Sequence, residues 1–195
     1  MLNLWHVGKK HGVMMLDKIP VLIRIPLKFG VVAGMLNVLM MVMFFLFGKH
    51  PSLFPIYFDS RIIILLIFIY FVIREYKEYH SGGLLHFWEG MVLGITSYVM
   101  VGLLGSLFIL LYDLFDPTYL SSYIEGARKG AEVYREQSIN GPQAVKMTED
   151  EFNRHITALG DTSAWKLAND YFVKTCFIGF LIPVVYSVFF RKVEL

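Results

Sequence analysis

The chain has 195 residues, 56% hydrophobic and 17% charged, with a formal net charge of +2. Soluble domains carry about 25% charged residues, so the composition excludes an ordinary soluble fold and points to the lipid bilayer as partner. One Cys, 16 Gly and 7 Pro exclude disulfide-rich, collagenous and disordered classes, and so small a charge gives no basis for a nucleic-acid partner.

Residues 1–28 read as a basic cytoplasmic leader. It lacks a small-residue cleavage site, so it is not a cleavable signal peptide. Its second half mixes apolar residues with Lys18, Arg24 and Lys28, which suits either the membrane interface or an unstructured arm. Met14 and Met15 offer an alternative start.

Residues 29–112 are expected to form three membrane spans. A bilayer core needs roughly 20 apolar helical residues. Phe29 to Phe47 and Gly90 to Tyr112 carry no charge and are long enough. Between them, Ile62 to Ile73 is apolar but short, about 18 Å of helix. Extended back to Ile56 it becomes a span, with Pro55 in the first turn and Asp59 and Arg61 near the outer boundary.

Residues 113–166 carry nine carboxylates against six basic residues and show helical patterning. Leu120, Tyr123, Ile124, Ala127, Ala131 and Tyr134 recur at spacings of three and four, predicting a helix over 119–137. Thr148-Glu-Asp-Glu151 is a capping box that opens a second helix, with Gly160 as its stop. Thr162 or Ser163 caps the next helix. That helix continues into a fourth span within residues 167–195, with Pro183 as a kink. The fold class is therefore all-α: a polytopic membrane protein with four transmembrane helices and a helical extracytoplasmic loop between helices 3 and 4. The short flanks place nine Lys and Arg on one side against Lys49 and Arg61 on the other. The positive-inside rule then puts both termini in the cytoplasm.

Three features carry candidate sites. Gly30 with Gly34, Gly90 with Gly94, and Gly102 with Ser106 are small-residue pairs four apart, which let helices approach closely in lipid. Their matching positions in spans one and three also suggest two parallel hairpin repeats. Asn37, Glu89 and Ser97 are polar groups within or at the edge of the spans. Glu89 and His86 lie on one helix face, half of a metal or proton site. Pairing of Glu89 with Lys28 or Arg24 at the same depth is the favoured reading. Asp113 and Asp116 at the exit of span three suit either a cation or a solvated helix end. No nucleophile elbow, P-loop, dinucleotide fingerprint or zinc-protease motif is present in the sequence, so neither catalysis nor a cofactor is expected.

Lys28-Phe29-Gly30 with Gly34, then Gly82-Gly83 with Phe87, Glu89 and Gly90, then Asp116-Pro117 with Tyr119 and Leu120, together resemble a family of small four-span inner-membrane proteins of unknown function, frequent in Bacteroidota. The resemblance runs from Ile25 to Lys192. It implies a bacterial inner-membrane location and no particular activity. The leading expectation is a non-enzymatic protein that acts by association, as a homo-oligomer or with an unidentified membrane-protein partner. A small transporter or channel built from four-helix units is the alternative, and an intramembrane enzyme ranks third.

Overall fold

The computed structural model describes residues 19–54, 59–135 and 148–191. Within them the protein is all-α. Four helices form a bundle: α1 (Val21–Leu46), α2 (Ser60–Tyr79), α3 (Phe87–Phe115) and α6 (Ala164–Phe190). Between α3 and α6, α4 (Thr118–Val133) and α5 (Glu149–Gly160) cap one end of the bundle, called here the loop end. A 3-10 turn at Pro51–Leu53 joins that cap. The other end carries the start of α1 and the finish of α6.

Helices α1, α3 and α6 are long and apolar enough to cross a membrane. At 26, 29 and 27 residues they run about 39–44 Å, beyond the roughly 30 Å of a hydrocarbon core. Helix α2 has 20 residues but includes Arg61, Arg74, Glu75, Lys77 and Glu78, and it is not among the three. Helix α1 begins at Val21, eight residues before the uncharged run, so Val21 to Lys28 are its first two turns. Residues 1–18 of the leader lie outside the described residues.

Glycine registers set the packing. A Cβ on Gly30 would lie 2.9 Å from Met100 Cβ, and one on Gly34 would collide with Leu104, so α1 and α3 run parallel. Gly90 faces Ser187, Gly94 faces Pro183, Gly102 faces Phe172 and Gly105 faces Tyr171, while Gly179 of α6 faces Tyr98. Those pairs run α3 and α6 antiparallel. The third side is closed by α2, whose Ile64, Leu65, Ile69, Val72 and Ile73 are buried against Ala33, Leu93, Val101 and Ile182. Burial of each such side chain contributes about 1.5–3 kcal/mol against water. In lipid the gain comes instead from close packing.

The described parts of the loop region are helical as expected. Thr148 and Glu151 form their reciprocal capping box, and the Ser163 hydroxyl accepts from Lys166 N–H at 3.3 Å. Helix α6 continues through Pro183 without a break. Helix α4 ends at Val133, short of the expected residue 137.

Candidate functional site in the bundle interior

The charged pair Asp59–Arg61 lies deep in the bundle. Asp59 is the N-cap of α2: its Oδ1 accepts from Arg61 N–H at 3.0 Å. The same carboxylate takes Arg61 Nε at 2.8 Å on each oxygen, and Oδ2 also accepts from Nη2. The other guanidinium nitrogen donates to Thr175 Oγ1 at 2.9 Å and to the Tyr171 carbonyl at 3.2 Å. The guanidinium sits 4.4 Å from the Tyr171 ring centre. Both charged side chains are 8% exposed. On α1, Asn37 is fully buried and donates through Nδ2 to Tyr171 Oη at 2.7 Å.

Helix rise gives the depth. Asn37 lies nine residues before the end of α1 and Thr175 eleven residues after the start of α6, about 14–16 Å below the loop end. The start of α2 therefore lies inside the bundle. Desolvated charges are tolerated only when paired and hydrogen-bonded. Here the α2 cap, the Tyr171 carbonyl and the Thr175 hydroxyl supply that, and Asn37 holds the Tyr171 hydroxyl beside them. Arg61 and Asp59, expected near the outer boundary of a span, hold α2 to α6 inside the bundle.

The sequence-predicted residues fall into separate places. Gly30, Gly34, Gly90, Gly94 and Gly102 all close helix contacts within the chain. Ser106 Oγ donates to the Ala168 carbonyl at 2.9 Å, and Ser97 Oγ to the Leu93 carbonyl of its own helix at 2.8 Å. Asn37 joins the Asp59–Arg61 cluster. Glu89 stays at the opposite end, where Oε1 accepts from Tyr76 Oη at 2.8 Å and Oε2 from His86 N–H at 2.9 Å. Lys28 pairs with Glu75 of α2 at 3.5 Å, not with Glu89 as expected. Arg24 is half-buried in the first turn of α1. Asp116 Oδ1 accepts from Thr118 N–H at 3.0 Å, so this carboxylate opens α4.

Sequence reasoning missed Asp59, Arg61, Tyr171 and Thr175 as one cluster. The signal was an Arg two residues after an Asp at the start of a span too short to cross the membrane from end to end.

A second feature lies at the loop end. His50 accepts from Ser52 N–H through Nδ1 at 3.2 Å and packs 4.5 Å from the buried Tyr119 ring. Burial pushes the imidazole down to about 4, against the upward pull of its contact with the Tyr119 main chain. Burial also pushes the Tyr119 phenol well up. Beside them a groove of about 460 Å³ opens between Gly48–Leu53 and α4, with Phe45 and His50 on its wall. Glu125 and Lys129 form an ion pair of 2.6 Å on its rim. Gly126 admits this approach, since a Cβ there would meet Leu53.

Residues 28–192 match the family described as Protein of unknown function (DUF4199). The match covers nearly the same stretch over which the motifs resemble a small membrane family of unknown function. No curated protein and no solved structure matches the chain.

Proposed function

This chain belongs to that family of unknown function, and from this premise we propose that it is a non-enzymatic membrane protein that acts by association through its loop-end cap. In this reading α2 is a fourth crossing, both termini are cytoplasmic, and the cap is extracytoplasmic on a bacterial inner membrane. The observation that carries the reading is the cap groove beside His50. Its volume lies in the range of about 300–1,000 Å³ typical of binding clefts, with aromatic walls and a few polar groups. The small-residue faces, by contrast, are filled within one chain, so association through a GxxxG surface is no longer the basis for it. The partner is a second membrane protein that inserts a side chain between the Pro51 turn and α4.

The test is affinity purification from native membranes in mild detergent, comparing wild type with Ser122→Trp. Tryptophan at that half-buried position on the groove wall fills the groove without entering the bundle. A stoichiometric partner retained by wild type and lost by Ser122→Trp, at unchanged melting temperature, supports the reading. Equal recovery by both removes it.

A small transporter or channel is the second reading, favoured by ionisable residues at membrane depth, Asp59 and Arg61. A purified oligomer that moves ions in liposomes, and stops when Arg61 is changed, moves that reading to first place.

A further inference from the structure

We propose that one water molecule is bound in a small cavity between α1 and the start of α2, with the side-chain amide of Asn37 as its principal anchor. Asn37 is fully buried, and its Oδ1 has no hydrogen-bond partner among the described residues. A buried amide oxygen without a partner costs its desolvation, and native structures rarely leave one. Next to it lies a cavity of about 10 Å³ whose walls include Asn37, Asp59, Ser60, Arg61 and Tyr171. That is the size at which a cavity holds a single water, and the walls supply the two to four polar partners such a water needs.

The charges decide between water and a cation. The oxygens of Asn37, Asp59 and Tyr171 resemble the donor set of a monovalent ion. Yet the Asp59 carboxylate already takes the Arg61 guanidinium on both oxygens. A second positive charge beside that guanidinium meets repulsion that the low local dielectric strengthens. An anion is excluded by the Asn37 oxygen and the carboxylate. The amide orientation leads to the same answer. If the amide is turned, Oδ1 accepts from Tyr171 and Nδ2 faces the cavity. Water serves either arrangement because it both donates and accepts, while a cation serves only one. The bound water would link Asn37 on α1 to the cap of α2, joining the helix that lacks a direct bond to Asp59.

Crystals of the full-length protein that diffract well enough to place ordered solvent test this directly, with a parallel rubidium soak. The expected result is one oxygen-sized peak within about 3.2 Å of the Asn37 amide and no anomalous peak. A featureless cavity overturns the proposal. An anomalous rubidium peak there overturns it in favour of a cation site. Asparagine-labelled protein in nanodiscs provides an independent reading by NMR. The Asn37 side-chain amide should show a cross-peak to water in the wild-type protein. Its absence there removes the bound water.

Discussion

The two charged regions of the bundle use the same residue types at different depths. At the end that carries the start of α1, Lys28–Glu75 and Arg74–Glu78 are largely open, with Lys28 67% and Arg74 53% exposed. Near the loop end, Asp59–Arg61 is buried to 8% on both sides. The open pairs are each worth about 0–1 kcal/mol, and their loss leaves two hydrated charges. The buried pair was desolvated on both sides at a cost of several kcal/mol per ion, and its loss leaves one charge away from bulk solvent. Depth, not pairing, sets the consequence.

Arg61→Met is the strongest way to break this comparison. It leaves the Asp59 carboxylate buried and uncompensated. Unfolding in detergent should show a loss of about 3–5 kcal/mol. Asp59→Asn combined with Arg61→Met should recover most of it, because the amide keeps the cap oxygen and removes the charge. A single variant as stable as wild type would mean that bulk solvent reaches Asp59 and the region is not deep.

His50 extends the comparison to a group that titrates. Its folded value, about 4, lies below the ordinary histidine value of 6.5. Between those values the unfolded chain binds more protons, so stability rises with pH there. The contribution is complete above about 6.5 and is lost as the pH falls towards 4. At about 1.4 kcal/mol per unit it amounts to roughly 3 kcal/mol. The unfolding midpoint should therefore drop between pH 7 and pH 4.5. In His50→Phe most of that drop should vanish. An identical pH profile in both proteins would place His50 in contact with solvent.

A neutral change separates packing from charge. Gly94 sits where α3 meets Pro183 of α6, and a Cβ there would lie 3.3 Å from the Pro183 Cα and overlap its ring. Gly94→Leu should cost about 1–3 kcal/mol by overpacking and lower the melting temperature of the solubilised protein. Unchanged melting would place Gly94 against lipid.

Legibility in the sequence follows the same division. The long apolar runs, the Thr148 capping box, the Ser163 cap and the continuation through Pro183 are local patterns, and each reads directly into a helix. The first two turns of α1 were not legible, since Arg24, Pro26 and Lys28 interrupt the uncharged run while the backbone continues helical. The Asp59–Arg61 cluster was hidden for a different reason. Its depth comes from where α2 starts relative to three longer helices, and its partners lie more than a hundred residues away on α6. Spacing along the chain carries no signal for either. Glu89 drew attention because it adjoins a GxxxG pair, yet its partners are set by α2, whose register the sequence leaves open.

The smallest expected effect belongs to Glu89, and it sharpens the shallow side of the comparison. The Glu89 carboxylate accepts from Tyr76 on α2 and from His86 at the start of its own helix, while Lys28 is engaged by Glu75. A hydrogen bond to a charged group contributes about 1.5–3 kcal/mol when shielded and less where water competes. With the terminal end partly open, coupling between Glu89→Gln and Tyr76→Phe should be about 1 kcal/mol in a double-mutant cycle. Coupling between Glu89→Gln and Lys28→Met should lie within about 0.3–0.5 kcal/mol of zero, the additivity expected of residues without a shared contact. Reversed magnitudes would mean that the carboxylate turns to Lys28 on α1. The terminal end would then hold a shielded ion pair of its own, and the contrast in depth between the two regions would fail. If both couplings vanish while Glu89→Gln abolishes a proton-dependent flux in liposomes, the carboxylate has a role in transport that its hydrogen bonds do not express.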